Sequence, residues 1–153
     1  MQEISVKDLH GGFNVAVIIS RFNDEVTQAL YQGALERLDE LGFTSEQIQV
    51  VWVPGCVEIP LVAKRLAKTK KHDAIVCLGA VIRGQTSHYD YVCEQVSQGC
   101  QQVMMAYDLP VIFGVLTTEN LGQAKDRCGG KKGHKGREAV DAAYEMVSVL
   151  QQL

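Results

Sequence analysis

Residues 74–92, "AIVCLGAVIRGQTSHYDYV", contain three consecutive signals of one structural unit. The first part, residues 74–81, is short, rich in β-branched residues and almost continuously apolar, as strands buried on both faces of a parallel sheet are. A polar loop containing Gly84 follows, and apolar residues then recur at helical spacing from Val92 to Tyr107. A strand, a loop and a helix in this order form the repeating part of a βαβ unit.

Three further apolar runs have the same character, and a segment with helical periodicity follows each of them: "FNVAVII" (13–19), "IQVVWV" (48–53) and "VIFGVLT" (111–117). Strands that alternate with helices predict a parallel sheet covered on both faces. We therefore predict an α/β fold, a three-layer αβα sandwich around a four-stranded parallel sheet in flavodoxin-like order. We expect a single domain over residues 13–153, preceded by an N-terminal arm over residues 1–12.

The composition limits the classes of function. With 153 residues, of which 46% are apolar, the chain is long enough and apolar enough for one folded core. A net charge of −3 argues against a nucleic-acid binder, and no apolar run reaches the roughly 18 residues that span a membrane. The five cysteines include no C-x-x-C pair, which argues against a zinc site or a disulfide framework. A reduced state favours a cytoplasmic location, and the N-terminus lacks the pattern of a signal peptide.

The loops after the four apolar runs are the candidate site, because ligands of open α/β sheets bind beyond the carboxyl ends of the strands. These loops read "SRFND", "PGCVEIP", "RGQTSH" and "TEN". Three of the four carry reactive or hydrogen-bonding side chains together with polar residues or glycine. We expect them to converge on one site.

The third loop is the most informative. Ser87 and Asp90 have the spacing of a capping box, so we predict a helix whose N-cap is Ser87 and whose first backbone N–H groups point outward. Such a helix start binds anions, and phosphate is the expected guest, with the Thr86 hydroxyl as a further donor. His88 would lie in the first helical turn, where the helix dipole disfavours an imidazolium and leaves a neutral base. The alternative is an ordinary helix cap with a solvated histidine.

Other loop residues have a structural and a functional interpretation. Phe22 either stacks on a planar heterocycle or packs on the core as a staple. Glu58 either pairs with a helix dipole or accepts hydrogen bonds from sugar hydroxyls. Cys56 is only a weak candidate nucleophile. Arg127 and the lysines of "GGKKGHKG" (129–136) either neutralise a phosphate or belong to a solvated connector.

Five motifs occur in register along nearly the whole chain: "SRFN" (20–23), "VPGCVEIP" (53–60), "LGAVIRGQTSHYDYV" (78–92), "FGVLTTEN" (113–120) and "GHKGREAV" (133–140). Together they resemble the 6,7-dimethyl-8-ribityllumazine synthase family of riboflavin biosynthesis. The resemblance implies condensation of 5-amino-6-(D-ribitylamino)uracil with 3,4-dihydroxy-2-butanone 4-phosphate, with release of phosphate and water. It implies no metal and no organic cofactor.

The resemblance also assigns roles to individual residues. His88 would be the catalytic proton-transfer residue, and Gln85, Thr86 and Arg127 would bind the butanone phosphate. The residues that would bind the ribitylaminouracil are Phe22, Asn23, Cys56, Val57, Glu58, Ala80, Val81, Ile82, Phe113 and Lys135. Phe113, Arg127 and Lys135 would reach the site from a neighbouring subunit.

The implied partners are the two small-molecule substrates and further copies of the chain. The family implies a homopentamer with shared active sites, and many members build an icosahedral capsid of twelve pentamers; riboflavin synthase is a further candidate partner. Cys56, Val57 and His134 depart from the commoner family motifs. Two rival hypotheses stay open at this point: a non-catalytic flavin or pteridine binder, and an assembly protein that mainly builds a shell.

Overall fold

Four parallel strands form the central sheet of the computed structural model, which describes all 153 residues. They are β1 (Val15–Ser20), β2 (Ile48–Val53), β3 (Ala74–Ile82) and β4 (Val111–Thr118), in the spatial order β2-β1-β3-β4. The order places β1 and β3 in the centre and leaves β2 and β4 as edges. The predicted four-stranded parallel sheet is confirmed, although β1 begins two residues later than the apolar run.

Five helices cover the sheet: α1 (Asp24–Glu40), α2 (Ile59–Lys68), α3 (His88–Tyr107), α4 (Leu121–Asp126) and α5 (Lys135–Leu150). All six residues of β1 are buried, and alternate ones face opposite layers, as a strand's period of two requires. Val15, Val17 and Ile19 join the core under α1 and α5. Ala16 and Ile18 join the core under α2 and α3. The predicted three-layer αβα sandwich is confirmed.

The segment "GGKKGHKG" is more ordered than a solvated connector. It contributes to a short antiparallel hairpin of β5 (Cys128–Gly130) and β6 (Gly133–His134) that leads directly into α5. Gly129 and Gly133 have φ values of 104° and 82°, a region that glycine enters without steric strain. The two glycines therefore allow the tight turn of a hairpin in a segment whose composition is also typical of a solvated connector.

Residues 1–12 contain no helix or strand and contact α5. The backbone N–H of Lys7 donates to Ser148 Oγ at 2.7 Å, and that of Leu9 donates to the Tyr144 hydroxyl at 2.7 Å. These bonds attach the segment to its own chain's last helix. None of the helices is long and apolar enough to cross a membrane.

Candidate active site

A cavity of about 510 Å³ opens at the carboxyl ends of β1, β2 and β3. Loops from three successive strands form its wall together with the start of α3, as convergence at one sheet edge predicts. Ten of the residues proposed from sequence line it: Phe22, Asn23, Cys56, Val57, Glu58, Ala80, Val81, Ile82, Thr86 and His88. Pro54, Gly55, Gly84, Tyr89 and Val92 complete the lining.

Phe22 stands at the mouth of the cavity with 72% of its surface exposed. Its backbone N–H donates to the Pro54 carbonyl at 3.1 Å, and the N–H of Arg21 donates to the Val53 carbonyl at 2.8 Å. The loop after β1 is thereby fixed to the end of β2, while the ring itself stays uncovered. The interpretation of Phe22 as a core staple is therefore wrong, and the ring is free to stack on a flat ligand.

Asn23 links two of the converging loops. It has φ 63° and ψ 51° at the N-cap of α1, and its Nδ2 donates to the Ala80 carbonyl at 2.9 Å. The left-handed conformation is one that asparagine tolerates better than most residues. This bond uses the amide nitrogen of Asn23, so its Oδ1 stays free to accept a hydrogen bond.

The last residues of β3 differ in where their main-chain groups point. Ile75 and Arg83 donate to carbonyls at the two ends of β4, so odd-numbered residues of β3 bond toward that strand. The pairing of β1 with β3 ends at Leu78, so no strand bonds to the other side of the last residues of β3. Ala80 and Ile82 direct main-chain groups to that side, where the Ala80 carbonyl accepts from Asn23, whereas Val81 contributes its side chain.

Cys56 lies in the cavity wall but is only 5% exposed. Its Sγ lies 3.5 Å from Ser20 Oγ, and burial raises the pKa of the thiol to about 11. A thiol with this pKa is almost entirely protonated at neutral pH, and the thiolate is the nucleophilic form. The geometry favours a packing role for Cys56 over the nucleophile that its loop position allowed.

Glu58 is the one side chain of the cavity that carries a negative charge. It ends a single 3-10 turn, Cys56–Glu58, that runs into α2. Its Oε2 is buried and has no hydrogen-bond partner within the chain. A buried carboxylate oxygen without a donor is energetically unfavourable, and Glu58 therefore offers an unused acceptor at the cavity wall.

The loop between β3 and α3 is held by Arg83. Its Nε donates to Glu119 at 2.7 Å, its Nη2 donates to Asp90 at 3.2 Å, and its guanidinium lies 4.2 Å from the centre of the Tyr89 ring. The helix begins at His88, as predicted, and Ser87 occupies the N-cap position.

The capping box predicted at this helix is wrong. The Ser87 side chain makes no cap hydrogen bond, since its φ of −71° and ψ of 0° are not the extended values of an N-cap that bonds the next turn. The Asp90 carboxylate bonds to Arg83 instead. The Thr86 Oγ1 accepts from the His88 N–H at 3.3 Å and is the nearest equivalent of a cap.

The backbone N–H groups of residues 84–87 donate no hydrogen bond within the chain. They precede a helix of 20 residues, whose N-terminus carries partial positive charge. Thr86 and His88 lie beside them and are exposed on the cavity rim. Gln85 is exposed in the same loop but does not line the cavity. The loop thus has the geometry of an anion site next to an accessible imidazole.

No lysine or arginine lines this cavity. Arg127 and Lys135 line a second cavity of about 280 Å³ at the β4 edge, together with Lys132 and Glu138. Neither cation forms an ion pair with a carboxylate of the chain. Phe113 lies on the same strand, half-buried against the α2 and α3 layer. A single chain therefore does not bring these three residues into the main cavity.

Comparison with known proteins agrees with this geometry. Residues 12–151 match the family model described as 6,7-dimethyl-8-ribityllumazine synthase. The chain belongs to the 6,7-dimethyl-8-ribityllumazine synthase family. It is 56% identical over 141 residues to proteins of that name from Coxiella burnetii strains CbuG_Q212 and RSA 493 / Nine Mile phase I, covering 92% of this chain and 93% of each relative.

Five cavity residues were outside the sequence-based assignment for this lumazine synthase family member: Pro54, Gly55, Gly84, Tyr89 and Val92. Of these, Tyr89 and Val92 line the cavity from the first two turns of α3. Val92 was accessible from sequence, because a residue four places after His88 lies on the same face of the helix, whereas Tyr89, the next residue, points to an adjacent face. Tyr89 is additionally fixed by the Arg83 guanidinium.

Proposed function

We propose that this chain joins 5-amino-6-(D-ribitylamino)uracil to 3,4-dihydroxy-2-butanone 4-phosphate and releases 6,7-dimethyl-8-ribityllumazine, phosphate and water, the penultimate step of riboflavin biosynthesis. Family membership supports the reaction. The structural observation that supports this reaction most directly is the set of residues that line one cavity. An uncovered aromatic ring, a buried carboxylate without a partner, and free amides beside a histidine line the same space.

The pyrimidine substrate is proposed to bind between Phe22 and the end of β3. Phe22 would stack on the ring, and the main chain of Ala80 and Ile82 would bond to its polar edge. Glu58 and Asn23 would accept hydrogen bonds from the ribityl hydroxyls. Cys56 and Val57 would contribute backbone contacts and apolar wall.

The phosphate of the second substrate is proposed to bind at the start of α3. The free amides of residues 84–87 and the Thr86 hydroxyl supply donors, and the dipole of the 20-residue helix supplies positive potential. Gln85 would join them from its exposed position. A phosphate dianion beside the Glu58 carboxylate needs a further counter-charge, and we assign that role to Arg127.

His88 is proposed to transfer protons. The 5-amino group attacks the ketone and water leaves to form an imine; phosphate elimination, ring closure and loss of a second water follow. Each step moves a proton between neighbouring atoms, so one accessible imidazole can serve several of them. The cavity holds the two substrates together, which supplies the remaining acceleration.

The site is proposed to be completed by a second copy of the chain in a homopentamer, and twelve pentamers would form the shell. The main cavity has a carboxylate and free donors but no cation, whereas the β4-edge cavity has Arg127, Lys132 and Lys135 without ion pairs. These two surfaces are complementary in charge. Phe113 would reach the neighbour's cavity from β4.

Two variants test the shared site. His88→Ala and Arg127→Ala each remove a group from a different side of the proposed interface. Co-expressed in equal amounts, they should form mixed assemblies in which about a quarter of the sites contain both wild-type side chains. The assay is lumazine absorbance with phosphate release, accompanied by light scattering to size the assembly.

Each outcome has a distinct meaning. Activity of the mixed assembly well above the sum of the separate variants supports a shared site. Activity equal to that sum means that both residues act within one chain. Absence of lumazine formation by the wild-type assembly overturns the reaction itself.

A further inference from the structure

His134 is half-buried at the junction of the hairpin and α5. Its Nδ1 accepts from the Gly136 N–H at 3.2 Å, which makes it the N-cap of α5. Its backbone pairs with Cys128 across the hairpin. Nδ1 is the acceptor of the bond from Gly136.

The other edge of the ring contacts α1 at Gly33. A Cβ added to Gly33 would lie 2.7 Å from His134 Nδ1 and closer still to Cε1 and Nε2. Gly33 is buried in the middle of α1, where glycine is less favourable than alanine by about 1 kcal/mol. The absence of a side chain at this position is explained by the space that the imidazole occupies.

The fixed ring lies next to the backbone that carries the proposed phosphate counter-charge. The Lys135 N–H donates to the Arg127 carbonyl at 2.8 Å, and the Lys132 N–H donates to the Asp126 carbonyl at 2.7 Å. The first bond ties the two ends of the hairpin together beside His134, and the second ties its turn to the end of α4. A displacement of His134 would reach Lys135 through the adjoining peptide, and Arg127 through the Lys135–Arg127 bond.

We propose that His134 is a positioning residue that fixes the segment 127–135 against Gly33 of α1, and thereby sets the location of Arg127 and Lys135. The inference rests on the proposed function for the role of those two cations. It goes beyond that function, because His134 itself touches neither cavity.

The chain offers a reciprocal pair of substitutions. His134→Asn keeps a side chain that caps helices but removes the ring from Gly33. Gly33→Ala introduces a methyl group into the space of the ring. Alone, Gly33→Ala should disturb the segment 127–135; combined with His134→Asn, it should fill vacated space and recover a helix-favouring residue.

Two readouts on the intact assembly separate this inference from the proposed function. The first is hydrogen exchange of the amides of Lys135 and Gly136, compared with core amides of β1. The second is the pair of KM values and kcat in the lumazine assay. His10→Ala is the matched control, because His10 is an exposed histidine far from both cavities.

His134→Ala should accelerate exchange at Lys135 and Gly136 roughly fivefold or more, the ratio for a lost cap of about 1 kcal/mol, and should raise KM for the phosphate substrate. The kcat should change less, since His88 is untouched. His134→Asn should lie between His134→Ala and wild type, and Gly33→Ala should resemble His134→Ala. The double variant should return toward His134→Asn or better.

The inference is overturned if Gly33→Ala leaves exchange at Lys135 and Gly136 unchanged, because the ring then does not occupy that space. It is also overturned if the two substitutions are simply additive, or if His134→Ala alters exchange with no effect on KM. Failure of wild type to form lumazine would overturn the proposed function, while the exchange data would still decide whether His134 fixes the segment.

Discussion

Glu58→Gln removes a charge from the cavity wall while it keeps the size of the side chain. In the structure Glu58 Oε2 is buried and accepts no hydrogen bond from the chain. If a ribityl hydroxyl donates to it, the substitution replaces a hydrogen bond to a charged group, worth about 1.5–3 kcal/mol, with one to a neutral amide oxygen, worth about 0.5–1.5 kcal/mol. The difference of about 1–1.5 kcal/mol corresponds to a rise in KM for the pyrimidine substrate of about 5- to 13-fold.

The same substitution should leave the free energy of unfolding unchanged or raise it. A carboxylate without a partner destabilises the folded chain, and a neutral amide is less costly to bury. Loss of binding without loss of stability is the signature of a group retained for a ligand. Steady-state kinetics in both substrates and a denaturant titration of the same preparation measure the two quantities.

Glu94→Gln supplies the control. Glu94 is exposed on α3 outside the cavity, so the identical chemical change there should alter neither KM nor stability. The reasoning is refuted if Glu58→Gln keeps KM for the pyrimidine within about twofold of wild type. It is equally refuted if the variant loses more than about 1 kcal/mol of stability, which would show that the carboxylate has an internal partner.

Three further predictions concern the same cavity. His88→Ala should lower kcat by about 10²–10⁴-fold without abolishing turnover and should alter the pH–rate profile; unchanged turnover and pH dependence would contradict the proton-transfer role. Phe22→Ala should raise KM for the pyrimidine roughly 2- to 10-fold, the range for an aromatic contact of about 0.5–1.5 kcal/mol, with little change in stability because the ring is exposed. Alkylation of Cys56 at neutral pH should be about 100-fold slower than that of a free thiol, because its pKa of about 11 lies some two units above the ordinary value, and Cys56→Ala should stay active.

The fold was accessible from sequence because the strands are buried on both faces. Continuous apolar runs locate all four strands; β1 begins two residues after its run, and β1, β3 and β4 each extend one residue beyond theirs. Phe13 continues the apolar pattern but packs edge-on against Phe43, with ring centroids 4.9 Å apart, before the strand begins. Apolar periodicity reports burial, and it cannot distinguish a buried residue in a strand from one that leads into it.

The site was accessible in outline, because three loops at one sheet edge must converge. The details of the site that the sequence did not predict depend on which of several possible partners each side chain binds. Asp90 has the spacing of a capping residue but bonds to Arg83, which also reaches Glu119 from the next strand. Local spacing carries no information about a guanidinium that approaches from another element. For the same reason, the packing of His134 against Gly33, 101 positions earlier in the chain, has no local signature.

The two cavities give a physical reason for the proposed dependence of activity on assembly. The main cavity offers a phosphate only backbone donors and a helix dipole, and the buried Glu58 carboxylate opposes a second negative charge nearby. The β4-edge cavity has the opposite charge imbalance. Arg127 and Lys135 line it with Glu138 as its single carboxylate, and neither cation forms an ion pair. Placing the cationic edge of one copy over the cavity of another relieves both imbalances at once. In the proposed assembly, substrate affinity and subunit association are favoured by the same electrostatic interaction, which gives a reason for cations at a strand edge and not within the cavity.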